Sequence, residues 1–192
     1  MPTPLEALRD EALGCRRCPL ATAGRTRVVF GSGDPDAELM FVGEGPGAEE
    51  DRRGLPFVGR SGQLLDRLLA EELGIGRDRV YIANVVKCRP PGNRDPLPVE
   101  IEACRGYLEA QVRLVDPAVV VTLGRFAGQV LLGTTEGISR LRGRVFAFDG
   151  RVLIPTYHPA YVLRGGGEPM ARMRADLVRA KQALAGRGVV LA

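Results

Sequence analysis

The chain has 192 residues, of which 45% are hydrophobic and 26% are charged, and its formal net charge is +4. These values are typical of one globular domain, which we expect to span residues 1–192, and they exclude a disordered or low-complexity chain. No apolar run approaches the ~18 residues of a membrane span, and the first residues lack a signal-peptide core, so we expect a cytoplasmic protein without a membrane partner. Only Lys87 and Lys181 among the 27 basic residues are lysine. An excess of arginine suits nucleic acid, although codon usage in a GC-rich genome would produce it too.

Hydrophobic periodicity predicts helices that alternate with strands. The strands are apolar throughout, which indicates a parallel sheet covered by helices on both faces. We therefore predict an α/β fold with three layers, α/β/α, around a central four-stranded parallel sheet. In the first half of the chain we predict a helix at about 4–13, a strand at 39–42, a helix between a Ser61 cap and Gly74, and a strand at 80–86. A helix at about 98–115, a strand at 118–123 and a helix at 124–132 are predicted to follow. The last predicted elements are a hairpin through Asp149-Gly150 into a fourth main strand and a helix at about 168–184.

Three predicted strands lead into segments whose residues could bind a ligand or take part in a reaction. A glycine-rich run, Gly43 to Gly47, follows the first strand, and His158 follows the fourth. Asn84 is a polar residue in the otherwise apolar second strand, which leads into the loop at 87–89. His158 is the only histidine, so it is the only side chain whose unperturbed pKa lies near neutrality. Ligands of such folds bind beyond the carboxyl ends of the strands, so we predict that these segments converge on one cleft. The alternative is a histidine that lies in a loop without function.

The four cysteines, Cys15, Cys18, Cys88 and Cys104, are a candidate metal-ligand set. Four thiolates are enough for tetrahedral zinc or for an iron–sulfur cluster, and a cytosolic setting disfavours disulfides. Cys104 shares a predicted helical face with Ile101, so unrelated buried cysteines are the alternative. The spacing matches neither ferredoxin pattern and does not choose between a cluster and zinc.

Taken together, these segments resemble the family 4 uracil-DNA glycosylases. Residues 43–47, with 49–51 and 54–59 after them, resemble the first motif of that family. Residues 158–164 resemble its second motif, with Ala160 where the family usually has serine. The cysteine arrangement is similar to the four ligands of the family's [4Fe–4S] cluster. The resemblance extends from Cys15 to the final helix, and it implies the uracil-DNA glycosylase fold and an enzyme that flips uracil out of single- or double-stranded DNA and hydrolyses its N-glycosidic bond.

Uracil release and this resemblance together suggest roles for five residues. His158 can donate a hydrogen bond to uracil O2 as negative charge builds on the departing base. By resemblance, Phe57 stacks on the flipped base, Asn84 pairs with its O4 and N3–H edge, and Glu44 orients or activates water. The backbone at Gly43 can approach the base closely because glycine has no side chain. The alternatives without a catalytic or binding role are a core phenylalanine at Phe57, a buried amide satisfied by backbone at Asn84, and a solvated acid at Glu44.

Four further residues are predicted DNA contacts. Val162, Leu163 and Arg164 form a candidate wedge for the gap that the flipped base leaves, and Arg89 belongs to a basic loop suited to phosphates. We expect a cluster to hold this loop and the N-terminal segment in place, and we expect a monomer because base excision needs one site.

Other functions remain open from the sequence. The main alternative is a non-catalytic iron–sulfur or zinc module that binds uracil-containing or damaged DNA. A nucleotide- or phosphate-binding enzyme is less favoured, because no GxxxxGK[ST] or GxGxxG motif follows the first strand. A related group traps uracil-DNA covalently through an extra histidine in its middle loop, which this chain lacks.

Overall fold

The computed structural model describes residues 1–191 and has helices and strands in alternation along them. A π-helical turn at Leu69–Leu73 continues the helix at Arg60–Leu68, and short 3-10 turns lie at Pro19–Ala21, Arg77–Arg79 and Pro91–Asn93. The strands are β1 (Ser32–Gly33), β2 (Leu39–Gly43), β3 (Tyr81–Asn84), β4 (Val119–Leu123), β5 (Phe146–Phe148) and β6 (Arg151–Thr156). The helices are α1 (Pro4–Leu13), α2 (Ala48–Arg53), α3 (Arg60–Leu68), α4 (Pro98–Val115), α5 (Arg125–Leu132), α6 (Ile138–Leu141), α7 (Pro159–Gly165) and α8 (Gly167–Gly186).

The strands form one sheet in the order β1-β3-β2-β4-β6-β5. The four inner strands are parallel, as predicted, and the short β1 and β5 add an antiparallel strand at each edge. The predicted hairpin between β5 and β6 is confirmed. Its turn residues Asp149 and Gly150 have φ values of 48° and 77°, and tight hairpin turns require such positive values.

Apolar side chains pack on both faces of the sheet. In β2, Leu39 and Phe41 belong to a core cluster with Leu68 of α3, whereas Met40 and Val42 belong to a second cluster. This alternation follows from the two-residue period of a strand. The second cluster includes residues of α4 and α5, so helices cover both faces and the three-layer prediction is confirmed. No helix within residues 1–191 is long and apolar enough to cross a membrane.

The segment after β6 differs from the prediction, because residues 159–165 form helix α7 rather than a loop. His158 is its N-cap and Pro159 is its first residue, a position where proline is favoured because the missing N–H has no helical partner. Helical geometry turns Val162 into the core, where it is 1% exposed. The predicted DNA contact at Val162 is therefore wrong, since a buried side chain cannot fill a gap in the base stack.

Candidate active site

A cleft of about 730 Å³ opens at the carboxyl ends of β2, β3 and β6. Its lining includes Glu44, Phe57, Asn84 and His158, which come from four separate parts of the chain. The predicted convergence of the strand ends on one cleft is therefore confirmed. The volume lies in the range of small-molecule sites and is sufficient for a nucleobase.

Gly43, the last residue of β2, lets two cleft side chains pack against the backbone. A Cβ atom placed there would lie 2.5 Å from Asn84 Oδ1 and 2.6 Å from ring carbons of Phe57. Real Cβ contacts are never that short, so only glycine allows this arrangement. The structure thus shows the Phe57 ring and the Asn84 amide close to the Gly43 backbone, whereas the approach of this backbone to the base stays a prediction.

The loop that carries Phe57 is held by Glu50 of α2. Glu50 Oε1 accepts hydrogen bonds from the backbone N–H groups of Val58, at 2.9 Å, and Gly59, at 3.0 Å. Phe57 itself has a φ of 52°, which is unusual for a residue with a side chain and requires such support. This role of Glu50 was not predicted from the sequence. Its only signal was its place in the acidic run that follows the glycine-rich segment.

Asn84, at the end of β3, is 1% exposed, and its side-chain amide has no hydrogen-bond partner within residues 1–191. Leaving a buried polar group unpaired costs about 1–3 kcal/mol, so such a group at a cleft indicates a ligand that completes it. The backbone of Asn84 is fixed, because its carbonyl accepts a hydrogen bond of 2.6 Å from the buried Lys87 Nζ. Lys87 Nζ also donates to Gln111 Oε1, at 2.5 Å.

His158 presents a neutral imidazole to the cleft. Its Nδ1 accepts a hydrogen bond of 3.1 Å from the backbone N–H of Ala160, which assigns the ring proton to Nε2. The pKa of His158 is lowered to about 4, mainly by burial and also by the positive charge of Arg164, whereas Glu50 opposes the shift. The ring centroid lies 5.7 Å from that of Phe57. His158 can therefore donate a hydrogen bond beside the Phe57 ring without being charged.

Glu44 is a half-buried carboxyl directly after β2. Burial raises its pKa to about 7, and the negative charge of Asp95 raises it as well, whereas Arg125 opposes both effects. Asp95 and Arg125 form an exposed ion pair of 3.0 Å with each other. A carboxyl with a pKa near 7 is matched to accepting a proton at neutral pH, so Glu44 can serve as a general base.

The predicted DNA-contacting residues lie at different distances from this cleft. Arg164 lines the cleft, and Leu163 is 42% exposed on the same helix, α7. Arg89 lies outside the cleft lining, and its Nε donates to Asn93 Oδ1 at 2.7 Å. The structure therefore leaves Leu163 and Arg164 available at the cleft and gives Arg89 a contact within its own loop.

The four cysteines form no disulfides, and one arginine connects two of them. Cys15 and Cys18 are half-buried, whereas Cys88 and Cys104 are buried. Arg25 Nη1 donates to Cys88 Sγ at 3.0 Å, and Arg25 Nη2 donates to the Cys15 carbonyl at 2.7 Å. The N-terminal segment and the loop after β3 thus meet at this cysteine group.

The thiols are near enough to influence one another's ionisation. Burial raises the pKa of Cys104 to about 11, Lys87 opposes the shift, and the neighbouring Cys88 and Cys18 add to it. Cys18 and Cys15 likewise raise the pKa of Cys88, although burial is the larger cause. Over residues 1–191, no three Cys, His, Asp or Glu side chains are arranged to hold a single metal ion. Four free thiols within electrostatic range of one another are enough for tetrahedral zinc or for an iron–sulfur cluster.

Comparisons with known proteins agree with this geometry. The sequence profile of the Uracil DNA glycosylase superfamily matches residues 30–184. A Type-4 uracil-DNA glycosylase of Thermotoga maritima is 45% identical over 180 residues, which cover 92% of this chain and 93% of that protein. The Type-4 enzyme of Saccharolobus solfataricus is 40% identical, covering 97% and 89%. A Type-5 uracil-DNA glycosylase of Thermus thermophilus is 33% identical, covering 95% and 91%.

Proposed function

The chain belongs to the type-4 family of the uracil-DNA glycosylase superfamily, and we propose that its cleft binds a uracil flipped out of DNA and hydrolyses the N-glycosidic bond. The product is an abasic site, the first intermediate in base excision repair of deaminated cytosine. The observation that carries this proposal is the buried, unpaired amide of Asn84 in a cleft that also holds Phe57 and His158.

Asn84 selects the base. Its carboxamide offers a donor to uracil O4 and an acceptor to uracil N3–H. Cytosine presents the opposite pattern on the same edge, so it would leave both amide atoms and its own edge unpaired. Sites built on such buried hydrogen bonds reject a mismatched ligand by about 10⁴–10⁵-fold. Phe57 adds stacking of about 1–3 kcal/mol, which supplies affinity but does not distinguish bases.

Glu44 and His158 act on opposite ends of the bond that breaks. Glu44, as a carboxylate, accepts a proton from a water whose oxygen attacks C1′ of the deoxyribose. The C1′–N1 bond breaks, its electron pair passes to the base, and negative charge develops on uracil O2. The neutral His158 donates a hydrogen bond from its Nε2–H to that oxygen and keeps its proton. A fixed donor of this kind is typically worth a factor of about 10²–10³ in rate.

We further propose that Cys15, Cys18, Cys88 and Cys104 hold a [4Fe–4S] cluster. The family and the four free thiols within electrostatic range support this assignment. The cluster takes no part in hydrolysis, and it ties the N-terminal segment to the loop after β3. Leu163 and Arg164 are the proposed contacts to DNA near the cleft, and Arg89 is a proposed phosphate contact. We also propose a monomer, because base excision needs one site, and a cytoplasmic location.

The test is base release from a labelled oligonucleotide with one uracil, read by alkaline strand cleavage, beside an identical oligonucleotide with thymine. We expect cleavage of the uracil strand alone. His158→Ala is expected to lower the single-turnover rate at least 10²-fold while the protein stays folded by circular dichroism. His158→Asn is the matched variant, because it keeps an N–H donor. Tight retention of uracil-DNA by iron-loaded protein without base release would instead support the non-catalytic binding module.

A further inference from the structure

A second cavity, of about 410 Å³, lies at the opposite end of α2 from the cleft. Arg25, Arg27 and Arg53 line it, and we call it the arginine pocket. Among the residues that the structure describes, no carboxylate lines it. Helix α2 begins at Ala48, which lines the cleft, and ends at Arg53. Its six residues span about 9 Å, which separates the two cavities along the helix axis.

The backbone of the pocket is held by a buried carboxylate. Asp51 of α2 is 3% exposed, and it accepts hydrogen bonds of 2.9 and 3.0 Å from the backbone N–H of Thr26 and one of 3.3 Å from Arg27 N–H. Burying a carboxylate is costly unless hydrogen bonds satisfy it, and these backbone N–H groups satisfy Asp51. It fixes residues 25–27 against the helix that also forms one wall of the cleft.

The three arginines of the pocket supply positive charge that an anion could bind. Arg25 is oriented by its hydrogen bonds to Cys88 Sγ and the Cys15 carbonyl. Arg27 is exposed and makes no salt bridge within residues 1–191. Arg53 makes only a long contact of 3.6 Å with Glu49, and both side chains are about half exposed. Three arginines that line one pocket without a lining carboxylate suit a phosphate, which guanidinium groups bind by charge-assisted hydrogen bonds.

We propose that the arginine pocket binds a backbone phosphate of the DNA, about three nucleotides from the uracil in the cleft. This spacing takes α2 to lie along the DNA strand, so that its ~9 Å length corresponds to about three nucleotides at a rise of 3.4 Å per nucleotide. This inference rests on the proposed function, because it takes the position of the uracil as its origin. Arg25 also places the pocket next to the cysteine group, so a bound cluster would support the DNA contact through that side chain.

The test is the salt dependence of binding to a duplex with a stable abasic-site analogue, measured by fluorescence anisotropy. Losing one phosphate contact lowers the slope of log Kd against log salt by about 1. We expect this loss in Arg27→Gln, with binding weakened about 5- to 10-fold at low salt and the single-turnover rate at saturating DNA unchanged. Arg113→Gln, which removes an exposed arginine from α4, is the matched control and should keep the wild-type slope. Equal slopes in the two variants would overturn the proposal.

A series of shortened duplexes separates a DNA phosphate from a free anion. The defect of Arg27→Gln should disappear once the flank that carries this phosphate is shorter than about three nucleotides, and it should persist when only the other flank is shortened. A defect independent of length, together with saturable competition by inorganic phosphate at every length, would show a free-anion site and contradict the DNA assignment. Uracil release by the wild-type protein is measured in parallel. Its absence would overturn the proposed function, whereas the slopes would still report on the pocket.

Discussion

The absence of a side chain at Gly43 lets the Phe57 ring and the Asn84 amide occupy their places in the cleft. Gly43→Ala would place Cβ within 2.6 Å of the Phe57 ring and of the Asn84 amide, so both must move. We expect uracil release to fall by at least 10²-fold, because a 1 Å displacement of positioning groups has effects of that size. Gly106→Ala on α4, where a Cβ atom meets nothing within 4 Å, is the control and should retain full activity. A wild-type rate for Gly43→Ala would contradict the packing described here.

The raised pKa of Glu44 predicts how activity depends on pH. If the carboxylate accepts the proton of water, the single-turnover rate should rise with pH and level off above about pH 7. His158, with a pKa of about 4, remains neutral over this range and adds no second inflection. Glu44→Gln should be slower and should lose the inflection near pH 7. A Glu44→Gln variant with full activity would remove this residue from the mechanism.

The raised pKa of Glu44 also predicts that ionisation of this carboxyl destabilises the folded protein. The pKa of Glu44 is raised from 4.5 to about 7 on folding, so the folded state binds the proton more tightly than the unfolded state. Its contribution to stability therefore falls as pH rises from about 4.5 to 7. We expect Glu44→Gln to have a higher melting temperature than the wild type at pH 8 and a smaller gain at pH 4.5. An equal shift at both pH values would indicate that ionisation of Glu44 is not the cause.

At the scale of elements, the buried carboxylate of Asp176 connects helix α8 to β6, the strand that leads into His158. Asp176 is fully buried, and it accepts hydrogen bonds from Thr156 Oγ1 at 2.8 Å and from Arg142 Nη2 at 2.7 Å. Thr156 ends β6, two residues before His158. This network anchors the carboxyl end of β6, directly before His158.

Asp176→Ala should destabilise the protein by about 3–5 kcal/mol, because it leaves the largely buried Arg142 without its counter-charge. Urea unfolding measures this effect. Glu168→Ala removes an exposed partner of Arg172 from the same helix, so it should leave the unfolding midpoint unchanged. If both variants unfold at the same urea concentration, the Asp176 network does not contribute as proposed.

At the scale of the whole molecule, the cysteine group connects parts of the chain that are far apart in sequence. Cys15 lies after α1, Cys88 in the loop after β3, and Cys104 within α4. Cys104→Ser should lose bound iron, lower the melting temperature and expose residues 1–30 to limited proteolysis. Iron analysis and proteolysis mapped by mass spectrometry give the readouts, with Ala103→Ser on the same helix as the control. Full iron content in Cys104→Ser would contradict the proposed ligand set.

Local patterns in the sequence were sufficient for most of the fold. Runs of apolar residues predict the four parallel strands, and helical periodicity with terminal signals predicts α1 at 4–13, α4 at 98–115 and α8 to within two residues. Those features depend on neighbours along the chain, where propensity and periodicity act. Helix α7 was missed because proline and glycine at its ends are also typical of loops, and only its packing on the core selects the helix.

The sequence by itself determined which strand ends carry Glu44, Asn84 and His158, since the carboxyl ends of parallel strands meet at one edge of a sheet. Only the tertiary structure decided that the Asn84 amide is unpaired and that Glu50 holds the Phe57 loop, because these depend on contacts between distant segments. The burial of Val162 and the grouping of arginines around a second cavity have the same origin. Solvent exclusion, which shifts the pKa values of Glu44 and His158, is likewise a property of the packed molecule rather than of any one segment.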